Sequence, residues 1–381
     1  MRLSRVAGSS VALLATVAMM ACGSTSGGSS SSGNNPINIG VFADITGPVS
    51  VYSVSQLQGI QLAVHEVDSS GGVLGHPIQI QVKDTASDAK QAPDAARALA
   101  ADSSVLALIA GGTSDSVLQA SPVAGQLQIP MIASSSFNKF QPGQLSDWTF
   151  RCASTEVDGL KAFMSKVQTL QPFSRLAIIY DGGNAFPTAE KDTLVQLASS
   201  LNYQVVDTEA ASSSAVDYST PLTKIAAAKP DLIWNGLIGA GAAAFMIQAR
   251  ARGISTHFVG GQTIASPSVF SLAKAAGEGT YTLLPFVASD PNPNVQAFDT
   301  LFQQFYGKAP DSYNALGYAA AMVLFEAIKK TGKADRSALR TTLTHFSYAG
   351  PTGQITFNGG PNNVNSNWTA VQVVNGGWKV V

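Results

Sequence analysis

The residues best placed to do chemistry are hydroxyls in two short runs. Thr113, Ser114, Asp115 and Ser116 follow Gly111-Gly112, and Ser134, Ser135 and Ser136 follow Ile129 to Ala133. Ahead of the first run lies Val105 to Ala110, an unbroken apolar stretch that suits a strand buried on both faces. The glycines let the chain turn where a Cβ would clash. The four residues after them supply N-caps for the apolar-periodic run Val117 to Leu127. A strand ending in a Gly turn and a Ser-lined helix start directs free backbone N–H groups, the positive helix end and hydroxyls one way. That is chemistry for binding an anion. Either run alone reads as an ordinary capped turn. Two such ends side by side, at the carboxyl edge of a parallel sheet, would make a carboxylate pocket.

Other chemistries lack their residues. The four histidines, His65, His76, His257 and His345, are scattered, and none shares a motif with a serine or an acid. No GxSxG elbow, HExxH or paired-cysteine metal spacing occurs, so neither an enzyme nor a metal site is expected. Gly239-Ala240-Gly241-Ala242-Ala243-Ala244 fits the dinucleotide fingerprint GxGxxA after the strand-like Leu232 to Trp234. Where that fingerprint wants an acid, the chain reads Gly260-Gly261-Gln262, so the run is read as close packing by small residues and no cofactor is expected. Lys and Arg number 23 against 24 Asp and Glu, a balance that implies no nucleic acid partner.

The elements that must position these residues begin after a leader. Arg2 and Arg5 precede the short apolar run Val11 to Ala21, the pattern of a secretory signal over residues 1–21. Met19-Met20-Ala21-Cys22 resembles a bacterial lipobox, with Met19 where leucine is usual, which makes Cys22 a lipidated first residue. Residues 22–35, almost all Gly, Ser, Thr and Asn, read as a flexible tether. Hydrophobic residues make up 45% of the chain and charged residues 12%, the balance of a well-buried body. Roughly 345 residues beyond the tether exceed what a single core usually holds, which suggests two domains. With Cys22 lipidated, Cys152 has no disulfide partner and reads as a buried apolar filler. No run after Ala21 is long enough to span a membrane as a helix.

Strand-like and helix-like segments then alternate. Ile37 to Phe42, Ile78 to Val82, Val105 to Ala110 and Ile129 to Ala133 read as strands, separated by helical patterns at Val54 to Val67, Ala89 to Ala101 and Val117 to Leu127. After Trp148 to Cys152 the pattern restarts. Strands at Leu176 to Tyr180, Val205 to Val206, Leu232 to Trp234, His257 to Val259 and Thr280 to Phe286 alternate with helices from Glu156, Thr188, Tyr218, Gly241 and Ser266. Such spacing means βαβ units, and the fold class is α/β, two doubly wound parallel-sheet lobes. Helices at Val295 to Tyr306, Tyr313 to Lys330 and Ser337 to Phe346 follow. The Gly/Asn-rich tail carries strands at Gln354 to Phe357 and Trp368 to Val374.

This order of elements, with its words, resembles the leucine/isoleucine/valine-binding family, the periplasmic type I solute-binding proteins of branched-chain amino-acid ABC transporters. The matching words are Ile39-Gly40 to Gly47-Pro48 with Tyr52, Gly71-Gly72-Val73-Leu74-Gly75, Ile80 to Ala92, Pro230-Asp231, Gln248-Ala249-Arg250 and Gly317-Tyr318-Ala319. They run in order through nearly all of Ile37 to Val374. The resemblance implies two lobes joined by a three-strand hinge, with crossings near Ala153, near Val287 and in the tail near Tyr348 or somewhat later. Lobe 1 is then 36–153 plus 287–350, and lobe 2 is 154–286 plus 351–381. The family's frequent first-lobe disulfide would fall on Ser87 and Thr113, so both of its cysteines are absent here.

By the same resemblance, Ser114 and the strand end at Ser135 and Ser136 face a ligand carboxylate. Tyr52 covers the ligand, and Tyr318 contributes from the penultimate long helix, with Tyr313 earlier on the same helix. Phe137 stands where the family has a threonine for the α-amino group, and Gln262 where it has the acid that pairs with the ammonium. The second-lobe tyrosines fall near Ala185 or Phe186 and at Ile238. Asp181, Asp217 or Asp231 are the acids left to reach the site instead. The implied ligand is a small amino-acid-like molecule or a carboxylate or amide with an apolar or aromatic body. The implied protein is an exported monomer, lipid-anchored to the outer face of a bacterial membrane, that passes ligand to an ABC permease and its ATPase subunits. The alternative is a ligand sensor of the same fold that signals rather than transports.

Overall fold

The computed structural model describes residues 35–381 except 136, 139, 142, 366 and 367. The expected signal peptide, Cys22, the tether up to Asn34, and Ser136 lie outside the described residues. Among the described residues no helix is long and apolar enough to cross a membrane.

The first lobe starts with β1 (Ile37–Ala43), α1 (Ser50–Ser69), β2 (Ile78–Asp84), α2 (Ala92–Ala100), β3 (Val105–Gly111), α3 (Ser114–Gln126), β4 (Met131–Ala133) and β5 (Thr149–Arg151). The strands form one sheet in the order β2-β1-β3-β4-β5, all parallel. β3 is buried along its whole length, as its unbroken apolar run requires. The second lobe follows with α4 (Glu156–Leu170), β6 (Arg175–Asp181), α5 (Ala185–Leu197), β7 (Gln204–Ala211), α6 (Ser219–Ala228), β8 (Leu232–Gly236), α7 (Ala240–Ala251), β9 (His257–Val259), α8 (Pro267–Ala273) and β10 (Tyr281–Leu284). The chain then returns to the first lobe as α9 (Pro293–Tyr306), α10 (Ser312–Thr331), α11 (Arg336–Leu343) and the hairpin of β11 (Ser347–Gly350) and β12 (Gly353–Thr356). It ends in the second lobe as β13 (Thr369–Val374) and β14 (Gly377–Val380).

Two differences from the expected architecture stand out. The second sheet, ordered β14-β13-β10-β9-β8-β6-β7, is not all parallel: β10–β13 and β13–β14 are antiparallel. A tail that enters from the hinge and turns at Asn375-Gly376 reverses direction without the long crossover a parallel neighbour needs. The last crossing also comes later than residue 350. Phe346, Ile355 and Phe357 are buried in the first-lobe core, so the hairpin stays with that lobe, whereas β13 pairs in the second-lobe sheet. The hinge strands are stitched together there. Asn363 donates to the Cys152 carbonyl at 3.0 Å, and the Ser154 hydroxyl donates to the Asn365 carbonyl at 2.9 Å. Cys152 is itself buried, and burial pushes its thiol pKa far up.

One helix pair fixes the geometry of the cleft. α1 and α10 touch backbone to backbone: a Cβ on Gly59 would come within 2.0 Å of the Asn314 carbonyl oxygen, and one on Gly317 within 2.0 Å of the Gln56 carbonyl oxygen. No side chain fits at either position, so the glycines set how closely the helices cross. Asp311 caps α10 in a full capping box with Asn314. The Asn314 side chain also donates to the Ser55 carbonyl of α1 at 2.7 Å, which fixes the relative register of the two helices. Their adjacent ends then present Tyr52 and Tyr313 together, with ring centroids 4.7 Å apart.

Candidate functional site

The first-lobe wall is assembled from the two hydroxyl runs. Thr113 is the N-cap of α3, and its side chain accepts the Ser116 N–H at 3.3 Å. That leaves Ser114 as the first helical residue, almost fully buried, where its own N–H lacks an intrahelical partner. Its hydroxyl accepts the Asn138 N–H at 3.4 Å. The Ser135 hydroxyl donates to the Gly112 carbonyl at 3.1 Å, and that of Ser134 to Gln56 at 2.5 Å. Ser53 on α1 donates to the Gly111 carbonyl at 2.7 Å. The ends of β3 and β4 are thus tied to α1 before any ligand arrives.

The second lobe closes against this wall through its main chain. Tyr52 accepts the Gly239 N–H at 2.6 Å and donates to the Thr263 carbonyl. Tyr313 donates to the Gln262 carbonyl at 2.7 Å. The Gln262 side chain donates to Ser312 at 3.1 Å, and Asp115 accepts the Ala185 N–H at 3.3 Å. Burial raises the pKa of both tyrosines, so they stay protonated and able to donate. Burial likewise raises that of Asp115, against the Ala185 N–H, which lowers it.

Between the lobes lies a cavity of about 60 Å³. Its polar lining is Ser53, Gln56, Thr113, Ser114, Ser135, Asn184 and Thr263; its apolar and aromatic lining is Val49, Tyr52, Phe137, Phe186, Ile238 and Tyr313. Phe137 meets Phe186 at 5.8 Å and Trp368 at 5.8 Å between centroids, tilted contacts of the kind aromatic rings prefer. At about 10–15 Å³ per water, the space holds only a few waters. A larger ligand therefore requires these rings to move apart. Among the described residues no aspartate or glutamate lines the cavity.

Of the site residues expected from the sequence, Tyr52, Ser114, Ser135 and Phe137 line the cavity. Gln262 stands directly behind it, with its carbonyl and side chain turned to Tyr313 and Ser312. Tyr318 is elsewhere: its hydroxyl donates to Glu66 at 2.5 Å and its ring packs on Phe298 in the first-lobe core. Tyr313 takes the place at the cavity. The acids left open as ammonium partners are committed elsewhere. Asp181 accepts the Gly183 and Ser213 N–H groups, Asp217 that of Ser219, and Asp231 those of Ser174 and Arg175. The GxGxxA run packs tightly: a Cβ on Gly241 would lie 2.2 Å from the Ser213 carbonyl oxygen, while the Gly239 N–H goes to Tyr52.

Sequence reasoning missed two acids, Glu156 and Glu190, both fully buried behind the cavity. The signal for Glu190 was present. It stands midway between Phe186 and Leu194, on the buried stripe of α5, where a helical period would place an apolar residue. Glu156 carried no such signal, because an acid in the first turn of a helix is unremarkable.

Two α/β lobes that close through cross-lobe hydrogen bonds over an internal cavity define a hinged small-ligand-binding protein. Comparison with known proteins agrees. The chain belongs to the periplasmic binding protein family, whose profile matches residues 36–377. It is 28% identical over 326 residues to the Leu/Ile/Val-binding protein homolog 1 of Brucella suis, covering 81% of this chain and 85% of that protein. Its fold matches the branched-chain amino acid transporter substrate-binding protein LivJ of Streptococcus pneumoniae in complex with isoleucine (TM-score 0.81, 23% identity, 91% and 99% of the chains). It matches equally well the solute-binding protein of an ABC transporter from R. palustris in complex with benzoate (TM-score 0.81, 20% identity, 91% and 96%). The expected resemblance and fold class are therefore borne out. The fold alone does not choose between an amino acid and an aromatic acid.

Proposed function

We propose that this protein is an extracytoplasmic solute-binding protein of an ABC importer, anchored by lipid on Cys22, whose ligand is a small carboxylate or amide with an apolar or aromatic body. The observation that carries the ligand class is the lining of the cavity. Hydroxyls and a helix start line it together with rings and Ile238, and among the described residues no carboxylate lines the space. A buried ammonium without a carboxylate partner is disfavoured by several kcal/mol, roughly the ~3–5 kcal/mol of a broken buried pair. A carboxylate at Ser114 meets N–H donors and the positive end of α3 instead. The relative bound to benzoate shows that a cleft of this fold accommodates an aromatic acid.

Calorimetry with leucine, its keto-acid and benzoate tests the assignment, alongside mass spectrometry of whatever co-purifies. The keto-acid or benzoate should bind more tightly than leucine, and Ser114→Ala should weaken that binding by about 1.5–3 kcal/mol, the range for a hydrogen bond to a charged group. Tight binding of leucine, with the two acids inert, overturns it. For the anchor, Cys22→Ser should release the protein from the membrane fraction.

A further inference from the structure

The two buried acids behind the cavity have no role in the ligand reading. Glu156 opens α4 and Glu190 lies in α5, both fully buried. Glu156 accepts the Gln262 N–H through both carboxyl oxygens, at 3.2 and 3.1 Å. Its own N–H donates at 3.1 Å to the carbonyl of Phe137, a cavity residue of the other lobe. Among the described residues neither oxygen of Glu190 has a hydrogen-bonding hydroxyl or amide; the polar group against it is the Glu156 carboxyl. A Cβ on Gly261 would lie 1.9 Å from a Glu190 oxygen and 2.0 Å from a Glu156 oxygen, so both carboxyls press on one glycine.

Two carboxylates in one dry site cannot both be charged, so the pair holds a proton between them. Burial raises the pKa of Glu156, against the hydrogen bonds from Glu190 and the Gln262 N–H. Burial and then repulsion by Glu156 raise that of Glu190 further. The neighbouring titratable groups are the Tyr313 phenol of α10, which Glu156 influences, and Asp311, which caps α10 and acts on that phenol. From β5, Arg151 donates to Thr155 at the start of α4. On α5, Lys191 pairs with Asp192.

What the pair holds is the turn on which the lobes close. Gln262 gives its N–H to Glu156, takes Tyr313 on its carbonyl and gives its side chain to Ser312; the Thr263 carbonyl takes Tyr52. The acids grip the turn from the second lobe and the tyrosines grip it from the first.

We propose that Glu156 and Glu190 are a proton-binding site that locks the Gly261–Thr263 turn in its closing position, and that loss of the shared proton frees the turn. The inference rests on the cleft being the ligand site only for its consequence, which is that ligand is held more tightly at lower pH. The direction follows from linkage. Both acids have folded-state pKa values above the unfolded one, so their contribution is complete below about pH 4.3. It falls as pH rises through about 7, to which Glu156 is raised, and beyond, where Glu190 follows.

Amide hydrogen exchange on the ligand-free mature protein, corrected for the intrinsic pH dependence of exchange, tests this directly. Between pH 6 and pH 8.5 the peptide covering 258–265 should lose about tenfold in protection, while the peptide covering 110–116 in the first lobe stays constant. In Glu190→Gln, whose amide donates to Glu156 as the shared proton does, protection of 258–265 should be independent of pH. Equal protection of the wild-type peptide at both pH values overturns the proposal without the need of any variant. So does the same loss of protection in a folded Glu190→Gln protein. Calorimetry with benzoate over the same range is a separate arm. A fall in affinity with pH supports the consequence, whereas failure of benzoate to bind at any pH counts against the ligand class and leaves the exchange result standing.

Discussion

The two walls of the cleft are built on different principles. The first-lobe wall is polar and internally wired: Ser53, Ser134 and Ser135 spend their hydroxyls on Gly111, Gln56 and Gly112, within one lobe. The second-lobe wall offers Phe186, Ile238 and the main chain at Gly239 and Gln262–Thr263; its Gly239 N–H and its Gln262 and Thr263 carbonyls find their partners across the cleft. The bonds of the first wall do not depend on contact between the lobes. The second is completed by closing, so the cost of leaving its groups unpaired is paid only in a poorly closed state. Under the proposed function, we expect the first lobe to orient the ligand and the second to respond to closure.

The sharpest way to break the first wall is at its helix crossing. Gly317→Ala puts a Cβ 2.0 Å from a backbone oxygen between two buried helices, and should lower folding stability by about 3 kcal/mol or more. Gly241→Ala makes a similar clash at 2.2 Å, but against Ser213 in a partly exposed loop that can yield, so its cost should be visibly smaller. Urea unfolding midpoints of the two variants compare the walls, and equal costs would show that the first is no more rigid than the second.

Next in size is Gln262→Glu. The new carboxyl would lose the donor to Ser312 and sit beside Glu156, whose oxygens already take the residue's N–H. We expect about 2–3 kcal/mol of lost stability at pH 8. The new acid is also held above its unfolded pKa, so the loss should shrink as pH falls toward about 4.3. Thermal melts at pH 5 and pH 8 check this. Unchanged stability together with a gain of leucine binding would mean that residue 262 faces the ligand after all.

Tyr52→Phe has the smallest expected effect and the most specific one. It strands the Gly239 N–H and the Thr263 carbonyl only in the closed form, at about 1–2 kcal/mol. Ligand affinity should therefore drop roughly tenfold while the urea midpoint stays put. If the midpoint falls with affinity, the hydroxyl supports the fold rather than closure.

Much of this molecule was legible before folding. The run Val105 to Ala110, Gly111-Gly112 and the hydroxyls after it specify a buried strand, a turn and a capped helix from local chemistry alone, and Thr113 is the cap among the four residues offered. The alternation of segments sufficed for two α/β lobes because buried parallel strands and amphipathic helices leave period and length in the chain. Properties that depend on which surfaces meet were not legible. Tyr318 rather than Tyr313 was expected at the ligand, yet five residues along a helix turn the side chain by about 140°, and contact with α1 decides which face meets the cleft. The hairpin of β11 and β12 remains with the first lobe because Ile355 and Phe357 find that core, a choice their alternation cannot express. Glu156 and Glu190 lie thirty-four positions apart, on α4 and α5, and become one site only where those helices pack behind Gly261. Sequence by itself determined most of the elements, though not the short strands β11 and β14, and the turn and cap of one wall, because those follow from neighbours along the chain. Tertiary structure alone decided which tyrosines close the cleft and which acids share a proton, because both depend on groups brought together from opposite ends of the fold.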